Sequence, residues 1–229
     1  EDMPRRQGIL STGEFYHVYN RSLSRKDVFH SPTDFEIFLL GTEYYLQCRP
    51  PMKFSNYREA YNLTSVQFDE DKLADILAFV LMPNHYHFLL KQNVEGGIAT
   101  FMQRLMSSYV HYYNRKYRKV GPLCNGAFKS KHLDSRDLVL HESRYIHINP
   151  TTSRLVKKPT DYPYSSLKEY FDEDSEEFPW VNTEVILNEV QGRKNYRKFV
   201  LSNIEYQIKL KQIGHDLEYS KSDPGSEIL

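Results

Sequence analysis

The chain has 229 residues, 40% hydrophobic and 26% charged, and its formal charges cancel. That size and balance suit a soluble globular domain with a buried core plus an added segment. No apolar run reaches the roughly 18–20 residues of a membrane span. The cysteines, Cys48 and Cys124 alone, exclude a disulfide framework or a four-thiolate zinc site. The start, Glu1-Asp2-Met3-Pro4-Arg5-Arg6, lacks the apolar core of a signal peptide, so a reducing cytoplasm is the expected compartment.

In chain order, Phe15-Tyr16-His17-Val18-Tyr19 is aromatic and β-branched and reads as a first strand. Ser31-Pro32-Thr33-Asp34 opens a helix that runs to about Cys48, where Arg49-Pro50-Pro51 stops it. Residues 52–72 are polar and poorly periodic, as in a loop or short helix. Ile76 to Met82 is a continuous apolar run, the pattern of a buried strand. Pro83-Asn84 turns the chain into a second strand, His85 to Leu90, so the two form a hairpin. Gly96-Gly97 precedes a long helix from about Ile98 to Tyr117, closed by Gly121-Pro122. A short strand is expected at Ala127-Phe128-Lys129-Ser130. A last core helix should begin near Asp134 or Ser135 and end at Asn149, because Pro150 disfavours helix in the residue before it. This order predicts an α+β fold: a ferredoxin-like antiparallel sheet with helices packed on it. An acidic linker (171–178), a helical extension (180–212) and a polar, mobile tail beyond about His215 would follow.

The charges cancel in total but not locally. Between Gly96 and Leu133 there is no Asp or Glu, while Arg104, Arg115, Lys116, Arg118, Lys119, Lys129 and Lys131 are all basic. Such a surface attracts phosphates. Tyr109, Tyr112, Tyr113 and Tyr117 lie among these cations, where rings could stack on unpaired bases or simply pack in the core.

His85 and His87 alternate on a strand, so they share a face and can hold one divalent ion. Hard oxygen donors and water would complete the shell of Mg²⁺ or Mn²⁺. A third histidine at the next alternate position would point to histidine-triad nucleotide hydrolases, but Leu89 stands there. Tyr145 and Asn149 are four apart and share a helix face. The Asn149 carbonyl oxygen suits a hard metal, with the Tyr145 phenol one turn away. His141 shares that face, whereas His147 does not and reads as structural.

Four stretches carry a resemblance: Tyr16 to Arg21, Leu81 to His87, Tyr145 to Pro150, and Tyr162-Pro163-Tyr164-Ser165-Ser166. In this order and at these separations the chain resembles the REP-associated tyrosine transposases, single-tyrosine members of the HUH superfamily. The resemblance spans about residues 12–170, the expected catalytic domain; residues 171–229 would be the linker, helical extension and tail. It implies that His85, His87 and Asn149 bind the metal and that Tyr145 is the nucleophile. The implied reaction is cleavage and rejoining of single-stranded DNA through a 5′-phosphotyrosine. The implied substrate is a hairpin-forming strand from a palindromic repeat, and the implied state is monomer or homodimer. Where relatives carry Gly-Arg-Phe, this chain has Gly126-Ala127-Phe128, with Cys124 where an aromatic is common. That departure supports a rival, a domesticated non-catalytic DNA-binding protein. A third reading is a metal-dependent nuclease that uses water, with Tyr145 structural.

Overall fold

The computed structural model describes residues 10–60, 71–124, 126–202 and 204–209. The expected tail beyond His215, and the end of the predicted extension, lie outside these residues.

Four antiparallel strands form one sheet in the order β2-β3-β1-β4: β1 Phe15–Arg21, β2 Ala74–Met82, β3 His85–Gln92 and β4 Lys129–Leu133. Pro83-Asn84 makes the β2–β3 hairpin turn as the sequence predicts. The sheet separates two apolar layers because side chains alternate along each strand. One face presents Tyr16, Val18, Phe79, Leu81, Tyr86 and Phe88 to helices α1 (Pro32–Tyr45) and α3 (Gly97–Tyr117). The other presents Val80, Met82 and Leu89 to helix α4 (Arg136–Thr152). A bulge between Ile76 and Ala78 shifts the alternation, so Leu77 and Ala78 both join the α4 side.

Local chemistry sets the helix ends. Ser31 and Asp34 form a capping box at the start of α1, with Pro32 just inside it. Helix α1 ends at Tyr45, short of the predicted Cys48, because Leu46 and Gln47 turn to meet residues 71–73: Leu46 O accepts from Leu73 N–H at 2.8 Å. A short helix, α2 (Phe54–Ala60), occupies part of the polar stretch. Gly97 opens α3 where a Cβ would come 2.1 Å from the Leu73 carbonyl oxygen, so the close approach admits no side chain. Ile98, Phe101, Met102, Leu105, Tyr109 and Tyr113 are then buried at helical spacing.

Three further expectations need correction. The last strand forms at 129–133, not 127–130, because Phe15 pairs with Leu133 and Tyr19 with Lys129, leaving Gly126 in a left-handed turn before it. Helix α4 does not stop at Asn149. It runs through Pro150 to Thr152, since a proline this near the end forfeits little, and Ser153 N–H closes the turn on Asn149 O at 2.9 Å. The region 180–209 is not one continuous helix. After α5 (Leu167–Phe171), helices α6 (Glu184–Glu189) and α7 (Arg193–Leu201) are broken at Gly192, whose φ is 109°. These later residues cover the core: Phe178 and Trp180 join the α1/α3 side, and Ile186, Tyr196 and Val200 join the α4 side.

A buried polar chain ties α7 to α4. Ser143 Oγ donates to Leu140 O (2.7 Å), so it accepts from Tyr196 OH (2.9 Å). Tyr196 OH also lies 2.7 Å from His147 Nδ1, and His147 Nε2 lies 2.9 Å from Ser166 Oγ, whose hydroxyl reaches Phe79 O at 3.3 Å. Burial lowers the His147 pKa to about 3, so the ring is neutral at pH 7. This is the structural role expected of His147.

Candidate metal and tyrosine site

The predicted site residues come from β3 and α4, which meet across the sheet. His85 and His87 lie on the α4 face, and their rings are 5.1 Å apart. The Tyr145 ring meets His87 edge-on at 5.6 Å, within one protomer. One turn on, Asn149 is buried and its Nδ2 is 3.4 Å from His87 Nε2. Tyr145 is 40% exposed, which leaves its phenol open to a ligand.

Two neighbours went unread in the sequence. His17 Nε2 lies 2.8 Å from His87 Nδ1, and His17 Nδ1 lies 3.0 Å from Glu142 Oε1. Burial, with some help from Lys131, lowers His17 to a pKa of about 4. At neutral pH the His17–Glu142 contact is therefore a hydrogen bond from a neutral ring to a carboxylate, not an ion pair. Burial raises the Glu142 pKa, and Lys131 Nζ, 4.0 Å away, opposes that rise. Both residues had a signal. His17 alternates with Tyr19 on β1, which pairs with β3, and Glu142 lies three and seven residues before Tyr145 and Asn149. The expected face-mate His141 instead sits against Arg144 and Phe199, on the α7 side.

The Tyr145 phenol has its pKa raised, first by burial and then by Glu142, while Asn149 and Arg21 oppose the rise. Beside it opens a cavity of about 560 Å³ lined by Tyr19, Arg21, Arg25, His85, His87 and Lys129 among others. A second hollow shares Arg21, His85 and Tyr145 and adds Asn84, Asn149 and Ser153.

The seven predicted DNA-contacting cations divide. Lys129 lines the cavity and Lys131 approaches Glu142. Arg104, Arg115, Lys116, Arg118 and Lys119 belong to α3 and its end, on the opposite layer from Tyr145. Lys116 is bound to the buried carboxylate of Asp34 at 2.7 Å. Tyr112 and Tyr117 donate to the same carboxylate at 2.9 and 2.7 Å, and Tyr109 and Tyr113 are buried. These four tyrosines pack the protein rather than offer stacking platforms, because their hydroxyls are engaged: those of Tyr112 and Tyr117 by Asp34, that of Tyr109 by Val28 O and that of Tyr113 by His30.

Among the described residues, no group of three or more His, Cys, Asp or Glu could hold a metal ion. The donor set here is two imidazoles and an amide. Asn84 orients the first ring: its Nδ2 donates to Arg25 O (2.9 Å), so its Oδ1 accepts from Nδ1–H of His85 (2.6 Å) and Nε2 keeps the lone pair. Asn149 Oδ1 now accepts from Ser153 Oγ at 3.2 Å. Turning the amide over would face that oxygen toward His87 while Ser153 accepted from the nitrogen. Cis ligands on an octahedral ion at 2.0–2.1 Å sit about 3 Å apart, close to the present 3.4 Å. The residues fit a divalent cation.

Among the described residues, no helix is long and apolar enough to cross a membrane. Residues 47–132 match the family model described as "Transposase IS200 like". That segment contains His85 and His87 but neither Tyr145 nor Asn149. No curated protein matches. A solved structure described as "the REP associates tyrosine transposase bound to a REP hairpin" superposes with a TM-score of 0.53 at 15% identity. The match covers 79% of this chain and 92% of that one. The chain thus resembles the IS200-like transposases in its central segment and shares its α+β fold with a REP-associated tyrosine transposase.

Proposed function

We propose that this protein is a metal-dependent single-stranded DNA transesterase, cutting and rejoining strands through a 5′-phosphotyrosine on Tyr145. The observation that carries the reading is the half-exposed Tyr145 phenol set edge-on against His87, with Asn149 beside both, at the mouth of a cavity lined by Arg21, Arg25 and Lys129. His85, His87 and Asn149 would hold Mg²⁺ or Mn²⁺. The protein side chains in that set are neutral, so phosphate oxygens and water would complete the shell, and the ion should bind more tightly once DNA is present.

When bound, a divalent ion supplies Lewis-acid polarisation of the scissile phosphate. Arg21 and Lys129 position that phosphate and offset its charge. Tyr145 Oη forms a bond to phosphorus, its proton passes to water, and the bond from phosphorus to the 3′-oxygen breaks. The 3′-oxygen leaves with a proton as a free hydroxyl. Arg21 favours the phenolate, against the opposing influence of burial and Glu142. A 3′-hydroxyl from another strand can reverse the step. The phosphodiester count is conserved, so joining needs no external energy source.

The proposed substrate is a hairpin-forming strand of repeat DNA, in line with the hairpin that the similar structure is described as holding. His87 and Tyr145 meet within one chain, which supports a monomer acting in cis. The exposed Ala127, standing where relatives carry arginine, favours a non-catalytic DNA-binding protein as second reading. Incubation with a labelled single-stranded hairpin and Mn²⁺ or Mg²⁺ separates the readings. A covalent protein–DNA adduct with a free 3′-hydroxyl product is expected. Binding without cleavage would support the second reading, and cleavage without an adduct would point to a water-using nuclease.

A further inference from the structure

We infer that Glu142 and His17 form a positioning relay that fixes His87 with the lone pair of its Nε2 directed at a divalent cation. The inference rests on the metal-site reading above and adds two residues to it.

The hydrogen-bond directions follow from what each group can do. The Glu142 carboxylate only accepts, so its 3.0 Å contact makes His17 Nδ1 the donor. Asn149 Oδ1 accepts from Ser153 Oγ, so its Nδ2 donor faces His87 Nε2 and that nitrogen carries no proton; His17, donating at Nδ1, accepts at Nε2. That atom lies 2.8 Å from His87 Nδ1, and two lone pairs do not approach so closely. His87 Nδ1 therefore carries the proton, and His87 Nε2 is left as an acceptor facing Asn149. Asn84 sets His85 in the same tautomer through a separate contact. The two rings thus present matching Nε2 lone pairs, each fixed by its own partner.

The relay has the form of a carboxylate–histidine pair behind a metal ligand, which holds ring orientation and raises ligand basicity. Its members are poorly exposed: the side chains of His17 and Glu142 are 8% and 13% accessible. The Glu142 carboxylate comes from α4, the helix that carries Tyr145. The relay therefore also holds that helix to the strand bearing the ligands.

The test uses the full chain. In the metal-free protein, long-range proton–nitrogen correlation spectra should show His87 protonated at Nδ1 and bare at Nε2. His17→Leu should release that tautomer and lower Mn²⁺ affinity, measured with a bound single-stranded oligonucleotide, by about 10- to 100-fold. DNA binding in chelator should be unchanged. Glu142→Gln, which keeps the shape and removes the charge, should shift the same spectrum and weaken Mn²⁺ in the same direction. A wild-type His87 protonated at Nε2 overturns the relay, as does Mn²⁺ affinity in folded His17→Leu within twofold of wild type. Absence of Mn²⁺ binding by the wild type overturns the metal-site reading and the relay's purpose with it, while the His87 spectrum still reports whether the hydrogen-bond directions are right.

Discussion

Acid should unfold this protein through His147, and the size of the effect follows from the buried chain that holds it. The ring is 0% exposed and hydrogen-bonded at both nitrogens, with a pKa lowered to about 3 by burial. In the unfolded chain a histidine titrates near 6.5. Between these values the unfolded state binds the extra proton, so stability is full above about pH 6.5 and falls as pH drops toward 3. Each pH unit in that window costs about 1.4 kcal/mol, so His147 alone should remove roughly 2.7 kcal/mol on going from neutral pH to about pH 4.5. His17, lowered to about 4, adds a loss of the same sign. Urea unfolding followed across this range for wild type and His147→Gln isolates the His147 share. The variant should be less stable at neutral pH and lose stability less steeply on acidification. Equal slopes in the two proteins would refute the argument, because no proton would then be taken up at residue 147.

Other perturbations follow from named contacts. Asp34→Asn leaves Lys116 without its carboxylate; Lys116 is a third exposed and can recover some hydration, so a loss of about 3 kcal/mol is expected in thermal or urea unfolding. Lys129→Ala, at the cavity, should weaken single-strand binding and reduce the salt dependence by about one phosphate contact, while Arg115→Ala, on the opposite layer, should do less; titrations at two salt concentrations measure both. Removing divalent metal with chelator should stop adduct formation but spare most DNA binding, read by gel shift. Adding DNA should tighten Mn²⁺ binding, read by calorimetry.

Much of this fold is legible in local pattern. The apolar run 76–82, the Pro83-Asn84 turn and the spacing of Ile98, Phe101, Leu105 and Tyr109 each specify an element from neighbouring residues alone. What was not legible depends on distant partners. Whether Pro150 ends a helix depends on how near the helix already is to its end. The start of β4 depends on its register with β1. Asp34 looked only like a capping residue, yet its carboxylate gathers Lys116, Tyr112 and Tyr117 from α3, which explains why those tyrosines pack inside. The site divides the same way. His85 with His87 and Tyr145 with Asn149 could each be paired by strand or helix period. His17 and Glu142 needed the β1–β3 pairing and the seating of α4 before either could be set beside His87.

The central claim is that Tyr145 is the nucleophile. The most direct test is peptide mapping of the adduct formed with a labelled single-stranded hairpin and Mn²⁺, in wild type and Tyr145→Phe. The account predicts a 5′-phosphate linkage on Tyr145 in the wild type and none in the variant, with binding retained. An adduct that survives Tyr145→Phe, or that maps to another residue, would contradict it.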